Sequence, residues 1–296
     1  MTPPTISVII PTRNRPEYLR AAVASVSAQS YLPMEVLVVE DGVGAAEALR
    51  EVAAVRVLSG RGAGPGAARN MGLQAARGEL VAFLDDDDLW HPEKLAWQVE
   101  WMARRPGLGA LGTGALRLRN PVVPGALRKP SRLRRISRAA LVRANRLTTS
   151  SVLARRECLE ACGGFDESLS LAQDWDLWLR LSPRWPVAVV PAPLAVHRLH
   201  AEQRSARQVE MRRHEAQVVA RVLEAEPGWW LRGVAQRRLA WAQCRWGRAL
   251  LRANEPHRAA EALRESLSLY PLLLPAWSAL ARCALSQLIP VGASKP

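Results

Sequence analysis

The chain has 296 residues, 49% of them hydrophobic and 23% charged, with a formal net charge of +14 from 41 Lys and Arg against 27 Asp and Glu. That balance is globular and excludes collagen-like, low-complexity and wholly disordered chains. The surplus of positive charge points to anionic partners (nucleic acid, lipid headgroups or a phosphorylated substrate) and carries no information about fold. Cys158, Cys162, Cys244 and Cys283 are too scattered for a disulfide framework, and no CxxC pair supports structural zinc. The first residues lack the basic and apolar regions of a signal peptide. The apolar stretch 272–293 is broken by Pro275, Arg282 and Pro290, so a membrane span is not expected and a cytoplasmic location is.

A β-branched run at residues 5–10 predicts a first strand ending at Pro11-Thr12-Arg13-Asn14. Residues 16–30 place Leu19, Val23 and Val26 at helical spacing. Residues 35–40 predict a second strand closing at Asp41-Gly42, and 56–58 a brief third. Gly60 to Gly66 has the glycines of a phosphate-cradling loop but not the Lys-Ser/Thr of a P-loop, and reads as a flexible entry into a helix over 67–77. Leu80 to Leu84 predicts a fourth strand that runs into Asp85-Asp86-Asp87-Asp88. Strands alternating with helices imply a parallel α/β sheet, whose ligands gather at the carboxyl ends of strands. Pro11 to Arg13, Asp41 and the four aspartates all fall there.

Four adjacent carboxylates at the end of an apolar strand repel one another unless a cation or solvent compensates them. If the extended geometry persists, Asp85 and Asp87 face the same side. They would then suit a hard divalent ion, which takes one or two carboxylates together with substrate phosphates. The plainer alternative is a solvated turn in which Asp88 caps a helix starting near His91-Pro92-Glu93.

Residues 101–156 hold fourteen Lys and Arg and no Asp or Glu. No aromatic residue lies between Arg104 and Arg156, so the stacking platforms of a nucleic-acid surface are missing and no nucleic-acid partner is expected. A solvated basic face and attraction to an anionic lipid surface or a diphosphate-carrying lipid acceptor remain as readings of the segment 128–146. A strand at 187–190 precedes His197 and His200. From about residue 205 the chain becomes Arg-, Ala-, Leu- and Trp-rich with helical periodicity, which places a boundary near 203–208. Trp229, Trp230, Trp241, Trp246 and Trp277 are read as core residues of these helices, the alternative being a docking helix for a partner or for the bilayer interface. Gly247, Ala259, Leu263, Ser266 and Pro271 fall on the small, apolar and helix-ending positions of a tetratricopeptide pattern, so this region resembles a partial repeat of that type.

The ordered set of Ser7-Val-Ile-Ile-Pro-Thr-Arg-Asn-Arg15, Val38-Val-Glu-Asp-Gly42, Gly64-Pro-Gly-Ala-Ala-Arg-Asn70 and Phe83-Leu-Asp-Asp-Asp-Asp-Leu-Trp90-His-Pro-Glu-Lys-Leu95 resembles glycosyltransferase family 2. The similarity covers roughly residues 5–200 and implies an α/β GT-A fold with a mostly parallel sheet. Residues 1–204 would form the GT-A domain, its nucleotide-sugar part about 1–100 and its acceptor part about 101–204, with 205–296 a helical extension. By this resemblance Pro11, Thr12 and Arg13 line the nucleotide, Asp41 accepts from the base, and Arg69 approaches the donor diphosphate. Asp85 and Asp86 would also belong to the nucleotide-sugar site, and Asp87, Asp85 and His200 would hold Mg2+ or Mn2+.

Gln173-Asp174-Trp175-Asp176-Leu177-Trp178-Leu179-Arg180 is similar to the family's Glu-Asp-x-x-Leu-Trp-x-Arg segment, which makes Asp174 the general base. Its plainer reading is a helix N-cap. Gly163-Gly164-Phe165-Asp166 looks like the family's acceptor-side turn. Glu40, Val43 and Gln173 depart from the family pattern. The expected activity is metal-dependent, inverting transfer from a nucleotide sugar, UDP-linked by default, to a glycan or lipid-linked acceptor in cell-surface polysaccharide biosynthesis. The protein would work at the inner face of the membrane. A catalytically degenerate scaffold and a basic nucleic-acid-binding protein are the rivals.

Overall fold

The computed structural model describes residues 3–50, 52, 55–199 and 208–288. The chain divides into two compact units, Met1–His200 and Ala201–Pro296. In the first unit β1 (Ile6–Thr12), β2 (Glu35–Glu40), β3 (Val55–Ser59) and β4 (Leu80–Phe83) run parallel in the order β3-β2-β1-β4. Every residue of β1 is buried, as a strand covered on both faces requires. Helices α1 (Pro16–Ser27), α2 (Ala45–Ala48) and α3 (Pro65–Ala75) connect these strands. α1 and α3 both open on proline, whose missing N–H would lack an intrahelical partner there in any case. The carboxyl ends of β1, β2 and β4 therefore lie at one rim.

Beyond β4 the sheet is mixed. Its remaining strands are β5 (Leu89–Trp90), β6 (Ala110–Leu118), β7 (Arg134–Ile136), β8 (Leu153–Arg155) and β9 (Val187–Arg198). β8 pairs antiparallel with β4 and with β6, and β6 runs parallel to β9. β5 and β7 pair antiparallel with β9. The sequence shows only the start of β9, because Pro191 and Pro193 look like terminators. The strand continues past them through a register shift opposite Gly114. A Cβ on Gly114 would lie 2.8 Å from the Ala192 carbonyl oxygen, so the close approach needs glycine. That glycine, with Gly112, also breaks the β-branched pattern that would have revealed β6.

α4 (Lys94–Ala103), α5 (Arg138–Arg143), α6 (Arg156–Ala161) and α7 (Gln173–Leu181) complete the unit. Trp90 is fully buried in the main core with Leu19, Val23 and Leu95. Its indole donates to the Ser150 carbonyl at 2.6 Å, which satisfies the one polar atom this large side chain takes out of water. Two further tryptophans of α7 are anchored the same way, Trp175 to the Leu141 carbonyl at 2.7 Å and Trp178 to the Leu147 carbonyl at 3.0 Å. The segment from α5 to residue 147 is thereby fastened along α7.

The second unit holds α8 (Gln208–Ala225), α9 (Trp229–Arg252), α10 (Pro256–Leu269) and α11 (Leu274–Leu288). Its core is built from small and branched side chains, among them Ala240, Leu250, Ala259, Leu263 and Ala276. A Cβ on Gly247 would come within 2.7 Å of Leu263 Cγ, and Ser266 Oγ donates to the Ala240 carbonyl at 2.7 Å. Of the five tryptophans expected in this core, Trp246 packs against it partly buried. Trp229, Trp230, Trp241 and Trp277 are 84%, 56%, 44% and 52% exposed, which corrects the expectation of a tryptophan core. No helix among the described residues is long and apolar enough to cross a membrane.

Candidate active site

The aspartate run does not continue β4. The Asp88 amide donates to the Asp85 carbonyl at 3.0 Å and curls the run into a turn. The alternation expected of an extended strand is therefore lost, and each carboxyl meets its own partners. Asp86 is buried and accepts from Thr12 Oγ1 at 2.7 Å and from the Arg13 backbone N–H. Arg15 Nη1 reaches both Asp86 Oδ1 at 3.3 Å and Asp87 Oδ2 at 3.0 Å. Asp88 is buried and accepts from Ser150 Oγ at 2.6 Å, His197 Nδ1 at 2.6 Å and the Arg198 amide at 3.2 Å. It is not a helix cap: α4 starts six residues further on at Lys94, behind Glu93. Instead Asp88 ties the turn to the far end of β9.

These neighbours shape the ionisation of the site. Burial pushes the Asp87 carboxyl up to about 7, aided by repulsion from Asp88, Asp85 and Asp86 and opposed by Arg15. Asp86 is also raised, by burial first, while Thr12 and Arg15 hold it down. For His197, burial works against the charged ring. The bonded Asp88 carboxylate outweighs it, and the imidazole titrates above its ordinary range. With Nδ1 turned to Asp88, the buried Nε2 has no hydrogen-bond partner among the described residues.

Arg69 links the turn to α7. Its Nη2 meets Asp85 Oδ1 at 2.5 Å, its Nη1 donates to Gln173 Oε1 at 3.1 Å, and its guanidinium lies 5.4 Å from the centre of the Phe165 ring. Gln173 also donates from Nε2 to the Leu169 carbonyl, so its amide is fixed at both ends. A Cβ on Gly66 would sit 2.8 Å from that Nε2, so α3 approaches α7 closely only because glycine stands there. Asp174 follows in the first turn of α7, where the helix dipole favours a carboxylate. The helix is capped by Ala172 with no side-chain bond, so Asp174 is not the N-cap. Its Oδ2 accepts from Asn145 Nδ2 at 3.0 Å and its Oδ1 from the Trp175 amide at 2.7 Å. Burial raises its pKa, with Asn145, the Trp175 amide and Arg69 pulling the other way and Asp85 adding to the rise. Asp85, Arg69 and Asp174 therefore share one electrostatic site.

At the other end of the rim, Asp41 accepts from the Gly62 amide at 2.6 Å and the Gly64 amide at 3.0 Å. The glycine loop is pinned over this carboxylate rather than being a loose entry to α3. Pro11 and Thr12 are buried beneath the rim and Arg13 is exposed on it. His200 lies outside the described residues, and His197 is the histidine found at the turn. The site also contains Arg15, Asp88, Ser150, Asn145 and His197, which the sequence does not assign to it; Arg15 stands in the same run as Thr12 and Arg13, and that adjacency is its signal. Nothing local marks Asn145 or Ser150, which arrive through α5 and the turn before β8.

Among the described residues, no group of three or more His, Cys, Asp or Glu side chains is arranged to hold a metal ion. A hard divalent ion bound largely through a substrate diphosphate needs only one or two carboxylates. The crowded Asp87, held partly neutral by its own neighbours, is chemically suited to accept one.

Residues 7–143 match the model of glycosyl transferase family 2. A Rickettsia felis glycosyltransferase, itself described as uncharacterized, is 30% identical over 219 residues, which cover 68% of this chain and 35% of that protein. The chain thus spans about a third of that relative. The amylovoran biosynthesis glycosyltransferase AmsB of Erwinia amylovora is 29% identical over 194 residues, 60% of this chain and 63% of its own length. Among solved structures, S. aureus TarS 1–349 in complex with UDP-GlcNAc superposes with a TM-score of 0.65 at 18% identity, covering 94% of this chain and 89% of that one. The Pyrobaculum calidifontis mannosyltransferase PcManGT in complex with GDP-Man and Mn2+ gives 0.64 at 22% identity, covering 97% and 81%. The fold is of the GT-A type. The family match over residues 7–143 and the glycosyltransferase-named relatives agree with that fold.

Proposed function

We propose that the protein transfers a sugar from a nucleotide-sugar donor to a hydroxyl of a glycan or lipid-linked acceptor in cell-surface polysaccharide biosynthesis, with inversion at the anomeric carbon. The observation that carries this reading is the Arg69 bridge, which joins Asp85 at 2.5 Å to Gln173 at 3.1 Å and so puts the aspartate turn and Asp174 in one site. The donor named for one fold neighbour is UDP-GlcNAc and for another GDP-Man, so a nucleoside-diphosphate sugar is the donor class, with uridine the default base. The names of AmsB and of the teichuronic acid glycosyltransferase TuaG of Bacillus subtilis support a polysaccharide acceptor. In this reading the nucleotide part is residues 1–100 and the acceptor part 101–204.

Pro11, Thr12, Arg13, Asp41 and Asp86 position the nucleotide, and the Arg69 guanidinium stabilises the diphosphate with its paired N–H donors. Asp87 and Asp85 would hold Mg2+ or Mn2+, and His197 or His200 would stand beside them. The metal, when bound, neutralises charge on the departing diphosphate. Asp174 takes the proton from the acceptor hydroxyl while Asn145 fixes the orientation of its carboxylate. Its raised pKa makes it a stronger base than a solvent-exposed aspartate once it is ionised. A cytoplasmic enzyme working at the inner face of the membrane would meet both donor and lipid-linked acceptor.

The test is a panel of nucleotide sugars with Mn2+ or Mg2+, scored by thermal shift and donor hydrolysis, followed by Asp174→Asn. Loss of the base is expected to lower kcat by about 10²–10⁴-fold while the Kd for UDP stays within twofold. A chelator should abolish turnover. Undiminished transfer by Asp174→Asn would remove the base from the scheme.

A further inference from the structure

Part of the Trp and Arg content of α9 is not used by the core of its own unit. α9 carries Arg232, Arg237, Arg238, Arg245, Arg248 and Arg252 and no Asp or Glu. Two of these arginines are committed inward: Arg245 meets Glu215 at 2.9 Å and Arg238 meets it at 3.5 Å. Arg232 donates to the Leu223 and Glu226 carbonyls. Arg237 and Arg248 are exposed and have no carboxylate partner among the described residues. At 3.6 residues per turn, Trp230, Arg237, Trp241 and Arg248 fall within about 40° of one another around the helix axis, and the row is about 27 Å long. Both indoles in it are exposed. Most buried side chains of the helix, Leu231, Ala235, Leu239, Ala242 and Leu250 among them, lie about 100° or more from the middle of the row, and the small Cys244 is buried at its edge.

A straight row in which indole and guanidinium alternate, without a single acid, matches one surface chemistry. Indoles settle at the level of lipid headgroups, where one edge of the ring is apolar and the N–H is wet. Arginine pairs with lipid phosphate and gains from the negative potential of an anionic leaflet. We propose that the outer face of α9 seats this protein on an anionic lipid surface, with Trp230 and Trp241 entering the headgroup layer and Arg237 and Arg248 pairing with lipid phosphates. The occupant is chosen by charge complementarity and by the flatness of a row that runs along one helix. This surface is independent of the catalytic reading and would stand if Asp174 proved not to be the base.

The experiment is co-sedimentation of the full chain with large unilamellar vesicles of 70:30 phosphatidylcholine and phosphatidylglycerol, against vesicles of phosphatidylcholine alone. Tryptophan emission is read in parallel. The chain is expected to partition onto the charged vesicles with a blue-shifted emission. Arg237→Gln/Arg248→Gln should bind about 30-fold more weakly, the factor that two basic groups command at an anionic surface. Trp230→Ala/Trp241→Ala should lose the blue shift and most of the binding. Arg258→Gln/Arg264→Gln, which removes the same charge from α10, should bind as the parent does. Circular dichroism confirms that each variant folds, and affinity for UDP confirms an intact first unit. Three results would overturn the proposal: equal loss for both arginine pairs, equal binding to neutral vesicles, or binding of a tetragalacturonate probe that the α9 variants lose while the vesicles are ignored.

Discussion

At the scale of single residues, Asp87 sets the pH behaviour of the site. Its carboxyl titrates at about 7 because it is buried beside three other acids, with Arg15 offsetting them in part. The sign follows directly. An unfolded aspartate ionises near pH 4, so between there and about 7 the unfolded chain gives up a proton that the folded chain retains, and folding loses stability as pH rises. Asp87→Asn is therefore expected to stabilise the ligand-free protein at pH 8 by up to about 4 kcal/mol and to do little near pH 4, measured as the change in denaturant midpoint. Manganese binding in the presence of UDP should weaken about tenfold for each pH unit below 7 and level off above it, since a bound ion must displace the proton. Calorimetry across pH 5–8 checks this. The sequence made these carboxylates visible as a group, but not their individual fates. Which oxygen meets Thr12, Arg15, Ser150 or His197 depends on a turn that the strand pattern did not foretell.

At the scale of elements, the contact of α3 with α7 joins the halves of the site. Gly66 allows it, and Gln173 is locked between Arg69 and the Leu169 carbonyl with nowhere to swing. Gly66→Ala should push Gln173 and drag Arg69 away from Asp85. The expected outcome is a tenfold or greater rise in the Kd for UDP with the melting temperature lowered by only a few degrees, read by fluorescence titration and thermal scan. The first four strands and the helices α1 and α3 were legible because β-branched runs and apolar residues at helical spacing follow simple periods, whereas α2, four residues between β2 and β3, was too short to show one. β6, β7 and β8 were not. β6 is interrupted by glycines that its neighbours require, and β7 and β8 are three residues each, too short to show alternation. Asp174 was legible by resemblance, whereas Asn145, which orients it, comes from a segment whose only visible character was its positive charge.

At the scale of the whole molecule, the charge of +14 is unevenly spread, with no acid at all between residues 101 and 156. Self-repulsion of this kind is relieved by added ions. The melting temperature is expected to rise between 50 mM and 500 mM NaCl, and a fall would mean that ion pairs such as Arg69–Asp85 outweigh the general repulsion. The helical second unit was legible in its periodicity but not in its packing: small residues took the interior and sent the indoles outward. Arg15, finally, supplies part of the counter-charge of the acidic turn. A protein that carries its own counter-ion between Asp86 and Asp87 can fold and wait without any divalent ion. If the turn takes up a divalent ion as proposed, a bare ion would have to displace the Arg15 guanidinium, whereas one already chelated by a pyrophosphate would bring that guanidinium a new anion to hold, and loading of donor and ion would then be coupled.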